Sequence, residues 1–176
     1  MNRIENDLIK RIGLPFDIMD MVLKEDEKTV IDFKLRLCDI DKNQDMELIK
    51  SIGLAARFDV LLKNESINAC ILTGLTVGNV YKFYNMLKIA YEKSDGYAEL
   101  KEYGRNSGTD FSVVFDADGM CEVKGEFSDK GQHKCITSGI RFEFDCEMSV
   151  FKIALQKFEL MFRIFAEIQE HERFEF

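Results

Sequence analysis

The sequence predicts an α+β fold: an antiparallel sheet of about six to seven strands, with a mid-chain helix and a long C-terminal helix packed on one face. Three observations carry this. Residues 29–37, 111–127 and 140–147 alternate apolar and charged side chains, the period of a half-exposed strand. Short polar turns join several such runs, so neighbouring strands pair antiparallel. Two longer stretches, near 76–94 and 148–170, carry apolar residues at helical spacing instead.

Taken in order, residues 1–24 read as an N-terminal extension to a core at 25–176, the whole of 1–176 being one domain. Ile4, Leu8, Ile9 and Ile12 have helical spacing, and Gly13 with Pro15 would end that helix. After the charged turn at 24–28, Ile31, Phe33, Leu35 and Leu37 face one way and Asp32, Lys34 and Arg36 the other. Asp39, Asp41 and Asp45, with Glu47 close behind, resemble the start of a calcium loop. Such loops need Gly at the sixth position and Glu at the twelfth, where this chain has Gln44 and Lys50. The segment reads as a solvated acidic loop.

Phe58, Val60 and Leu62 mark the next strand; residues 63–66 turn the chain, and Ile67, Ala69 and Ile71 return it. Thr76 is placed to cap a helix running to about Ser94, with Val80, Tyr84, Leu87 and Tyr91 inward and Asp95-Gly96 as its stop. Residues 97–103 form a further strand. Phe111, Val113 and Phe115 then pair with 121–127 around the Asp116-Ala117-Asp118-Gly119 turn. A polar loop spans 128–139. Ile140, Phe142, Phe144 and Cys146 then line one face of a strand that feeds the last helix. That helix has Phe151, Leu155, Phe158, Phe162 and Phe165 on its stripe and Ser149 as its N-cap.

A chain of 176 residues, 46% hydrophobic and 32% charged, has the composition of a globular domain able to bury roughly 70% of its unfolded surface. Met1 leads into Asn2-Arg3-Ile4-Glu5 without an apolar h-region, so no secretory signal is expected. No apolar run reaches the roughly 18 residues of a membrane span. Five unpaired-looking cysteines predict a reducing, cytoplasmic setting. The net charge of −8 argues against a nucleic-acid partner and for a basic protein partner.

Chemistry is sparse. Cys121, His133, Cys135 and Cys146 are separated by 11, 1 and 10 residues, which matches no common zinc arrangement. No cysteine is flanked as a catalytic thiol would be, and no nucleophile elbow or phosphate-cradling glycine loop occurs. No catalytic residue, metal or cofactor is therefore expected, and the chain reads as a binder rather than an enzyme. Its candidate contact residues are acidic: Asp39, Asp41, Asp45 and Glu47 on the loop, and Glu122 and Glu126 on an outward strand face.

The order of elements from about Thr29 to Phe165 resembles the WapI-type immunity proteins of bacterial polymorphic and contact-dependent toxin systems. The likeness rests on three features: Cys70-Ile71-Leu72-Thr73 followed by a helix holding Val80-Tyr81-Lys82-Phe83-Tyr84, the hairpin from Phe111 to Phe127, and the ending Gly139 to Cys146 before a terminal amphipathic helix. Where that family often has an Asp-Gln pair before the last helix, this chain has Asp145 followed by Cys146-Glu147. The resemblance implies a cytoplasmic, non-catalytic protein that binds and blocks one cognate toxin domain, frequently a nuclease; the chain itself is expected to be a monomer or weak homodimer. The alternative is a small enzyme or ligand-binding protein with its site between the sheet and the C-terminal helix.

Overall fold

The structure, a computed structural model, describes residues 10–11, 13–25, 28–40, 56–102, 108–129 and 138–172. Among these residues eight strands form two four-stranded antiparallel sheets, each a simple meander. The first holds β1 (Phe16–Glu25), β2 (Lys28–Ile40), β3 (Ala56–Lys63) and β4 (Asn68–Leu72). The second holds β5 (Gly96–Lys101), β6 (Thr109–Phe115), β7 (Met120–Asp129) and β8 (Ser138–Glu147). Helix α1 (Val77–Lys93) connects the sheets, and α2 (Phe151–Glu172) follows β8 after a 3-10 turn at Met148–Val150.

The α+β class, the antiparallel pairing and both helices match the sequence reading. The single sheet does not: the 17 residues of α1 carry the chain from β4 to a new sheet instead of returning it to the first. The second difference is β1. Its register with β2 slips between Asp17, opposite Arg36, and Met19, opposite Leu35, so Ile18 is an extra residue in a bulge. Ile18 and Met19 are consecutive, yet both are fully buried. That removes the strict alternation by which the strand would have been recognised. Residues 16–24, assigned from sequence to an extension, thus belong to a strand paired along its length with β2.

The inner faces of the sheets meet on aromatic rings. Phe33 of β2 stacks on Phe111 of β6 at 5.1 Å between centroids and lies 6.0 Å from Phe127 and 5.6 Å from Phe142. The helices add theirs: Phe83 of α1 sets its edge against Phe111, and Phe158 of α2 against Phe83. Tyr84 contacts Phe158 and Phe162, while Phe151 at the start of α2 meets Phe115. One continuous hydrophobic core therefore draws on both sheets and both helices, with α1 packed against β5 and α2 against β1. Stacked and edge-on rings are favourable beyond their area, and they fill this interior with large, stiff side chains.

Local signals account for the element ends. The Thr76 hydroxyl accepts from the Asn79 N–H and the Asn79 side chain accepts from the Thr76 N–H, closing a capping box at the start of α1. At its end Ser94 takes the left-handed conformation (φ 50) and its N–H reaches back to the carbonyls of Ala90 and Tyr91. Ser149, expected to cap α2, instead lies inside the 3-10 turn, where its hydroxyl donates to Glu147 at 3.1 Å. The β6–β7 turn is held by Asp116, whose carboxylate accepts from the N–H groups of Asp118 and Met120, with Gly119 at φ 82.

Candidate functional site

Alternation within the second sheet puts every second residue on a solvent-facing outer surface, and the strand register decides which of these become neighbours. Tyr97, Val114, Glu122 and Asp145 form one row across β5 to β8. Glu99, Ser112, Lys124 and Glu143 form the next, and Lys101, Asp110, Glu126 and Arg141 the one after. Met120 and Glu147 pair at the end of the hairpin. Among the described residues the face thus collects seven carboxylates, from Glu99, Asp110, Glu122, Glu126, Glu143, Asp145 and Glu147, against three cations, Lys101, Lys124 and Arg141. Three large apolar side chains lie exposed on it: Tyr97 at 58%, Val114 at 43% and Met120 at 39%.

The two lysines are already engaged. Lys124 Nζ lies 2.8 Å from Glu122 and 3.4 Å from Glu143, and Lys101 Nζ 3.0 Å from Glu99 and 3.9 Å from Asp110. The hydrogen bond from Lys124 holds the Glu122 carboxyl below its ordinary range, and the same bond raises Lys124 above the usual ammonium value. Glu99 raises Lys101 in the same way, with Asp110 adding to it. A shallow depression of about 180 Å³ opens between these side chains, lined by Asp110, Ser112, Lys124, Glu126, Arg141 and Glu143 among others. Carboxylates outnumber ammonium and guanidinium groups here, so the face is a net anionic surface with apolar side chains set in it. This combination suits a basic protein surface.

The outer face of the first sheet differs. Asp17, Asp20, Asp32, Asp39 and Asp59 stand among Lys34, Arg36, Arg57 and Lys63, a near-balanced set. Arg36 Nε donates to Asp17 at 2.5 Å and Lys34 to Asp20 at 3.2 Å, and Arg57 lies 3.6 Å from Asp59. Much of the charge there is paired within the chain, although one oxygen each of Asp32 and Asp59 is buried without a hydrogen-bond partner.

These positions sort the sequence candidates. Glu122 and Glu126 lie on the outer face of β7, flanking Lys124, as alternation predicts. Asp39 is not in a loop: β2 extends through Ile40, and Asp39 faces Arg57 on the first sheet, apart from the two glutamates. Asp41, Asp45 and Glu47 lie outside the described residues, as do His133 and Cys135. Glu99 and Asp110 join Glu126 and Lys124 only through the pairing of β5, β6 and β7. Alternation within each strand was the available signal, but it says nothing of which strands are neighbours. Beneath α2, where the alternative reading placed a ligand site, Phe158 is fully buried against Phe83 and Tyr84. A groove of about 230 Å³ lies instead between the two helices, lined by Tyr84, Lys88, Tyr91, Lys152 and Leu155 among others.

Cys121 and Cys146 are cross-strand partners at the buried end of the β7–β8 pair. Burial pushes the Cys121 thiol up to about 12 and that of Cys146 to about 11. Such thiols stay protonated and are poor nucleophiles and metal ligands at neutral pH. Among the described residues no cluster of His, Cys, Asp and Glu is arranged to hold a metal ion, and no helix is long and apolar enough to cross a membrane. No protein-family model matches the chain, and neither a curated protein nor a solved structure is found to match it.

Proposed function

We propose that this protein is a cytoplasmic, non-catalytic immunity protein that binds a cognate toxin domain and blocks it through the outer face of its second sheet. The observation that carries the reading is the charge asymmetry between the two sheets. Among the described residues, one outer face is near balance, while the other carries seven carboxylates against three cations around exposed Tyr97, Val114 and Met120. A toxin that cleaves nucleic acid needs a basic substrate site, and an anionic face covers such a site with a charge-steered approach. The exposed aromatic and aliphatic side chains would then supply the desolvated centre from which most binding energy comes. The resemblance of the sequence to the WapI-type immunity proteins motivates the same reading.

The test is direct. The purified protein should form a stoichiometric complex with the C-terminal domain of a secreted protein encoded beside it, and should abolish that domain's activity without turning anything over. A neighbouring toxin that retains full activity in the presence of excess protein rules the reading out.

A further inference from the structure

The two sheets have four outer edges between them, and three are managed. β1 is irregular at two points and has α2 packed against it. β5 has α1 against it, and β4 is only five residues long. β8 is different. Its ten residues pair with β7 in unbroken register, with no bulge, proline or lysine, and no described strand pairs with its other edge. A long, regular edge of this kind presents a row of unpaired N–H and C=O groups to another chain. Its inner-face residues Ile140, Phe142 and Phe144 are only half-buried within one chain.

We propose that a second copy of this chain covers that edge, β8 pairing antiparallel with β8 about a two-fold axis at Phe142. The inference does not depend on the toxin reading. Residues opposed across such a junction must share a face, so the axis must pass through a residue rather than between two. Centred on Phe142, Arg141 opposes Glu143 of the second copy, and by symmetry the same pair forms again on the other side of the axis. Ile140 opposes Phe144, Phe142 opposes its own copy, and Gly139 opposes Asp145. No like charges meet. The neighbouring registers are each poorer: centring on Arg141 or on Glu143 sets that residue against itself, centring on Phe144 sets Glu143 against Asp145, and centring on Ile140 sets Arg141 against Gly139, which leaves its charge unmatched across the seam. Directly opposed like charges destabilise a strand pair, whereas opposite charges and aromatic–aliphatic pairs stabilise it.

The flanking strand agrees. Arg141 is already beside Glu126 on β7, and Glu143 beside Lys124. Across the junction the row therefore runs Glu126, Arg141, then Glu143 and Lys124 of the second copy, with the sign alternating at every step. The net charge of −8 on each copy opposes approach, but at 0.15 M salt that opposition reaches only about 8 Å, so contacts at the seam decide. The product is an isologous dimer whose second sheets join into one.

Sedimentation equilibrium over a dilution series at this salt should show the wild-type chain approaching twice its 20.4 kDa. Arg141→Glu and Glu143→Arg should each be monomeric while keeping the wild-type circular dichroism spectrum. Mixing the two should restore a dimer, because each supplies the charge that the other lacks across the axis. A wild-type monomer throughout overturns the proposal and leaves the edge to a strand from a different protein. So does a dimer that neither substitution weakens, or a mixture that stays monomeric.

Discussion

The ring of Phe142 occupies the space that a side chain would take at Gly125. The two are cross-strand partners on β8 and β7, and a Cβ built on Gly125 would overlap the tip of the ring. The ring is held there by Phe127 at 6.0 Å and Phe144 at 5.8 Å, both stacked on it. Gly125→Ala should therefore destabilise the fold by about 1–3 kcal/mol through overpacking, read as a lower urea midpoint. In a Phe142→Leu background the same change should cost much less. Equal costs in the two backgrounds would show that the glycine is needed for some other reason.

Phe158 is fully buried, with Tyr84 at 5.7 Å, Phe83 at 5.9 Å and Phe162 at 6.4 Å between ring centroids. Phe158→Ala should cost about 3–5 kcal/mol and lower the melting temperature clearly. An unchanged melting temperature would mean that the α2 stripe does not carry the core.

The thiols of Cys121 and Cys146 define an alkaline limit. Their pKa values rise on folding from 9.0 to about 12 and about 11, so the folded state holds protons that the unfolded state releases. Their contribution to stability is intact below pH 9.0 and is lost as pH rises from there towards about 11 and about 12. Urea midpoints should fall across that window, and Cys146→Ala should make the fall shallower. At neutral pH a maleimide should label exposed Cys70 well before either buried thiol. Prompt labelling of Cys121 in the native protein would contradict this.

Reversing charge on the anionic face tests the binding reading. Glu122→Lys combined with Glu126→Lys should slow association with the toxin domain by roughly tenfold at low salt, with less effect as salt rises. Thermal stability should change little, since both side chains lie on the surface. Asp39→Lys serves as a control, because Asp39 sits on the first sheet opposite Arg57 and should leave the rate nearly unchanged. If Asp39→Lys proved the stronger variant, the binding surface would be the first sheet.

Strand identity was readable wherever burial followed strict alternation, as in β2, β6, β7 and β8. It failed at β1, where the bulge at Ile18 buries two consecutive residues and breaks the period. The division into two sheets left no trace in any single strand, because a period of two records burial but not partnership. The site followed the same rule. Glu122 and Glu126 were assigned to an outward face from their own strand, while Glu99 and Asp110 became their neighbours only through the β5–β6–β7 register. The balance of the first sheet, with Asp17 on Arg36 and Asp20 on Lys34, likewise depends on pairing across a hairpin.

The meander order of both sheets sets the sequence of events as the chain folds. Each strand pairs with the one beside it in its sheet's chain order, so each hairpin closes a local loop, the longest between Ile40 and Ala56, at an entropic cost that grows only slowly with length. The stacking of Phe33 on Phe111 is of another kind, since it joins rings that lie far apart in the chain and belong to different meanders. Docking of the two halves should therefore follow their internal pairing, and Phe33→Ala should speed unfolding while leaving the refolding rate nearly unchanged. Stopped-flow chevrons would show it: a refolding arm that slows in step with lost stability would place the inter-sheet stack in the folding nucleus instead.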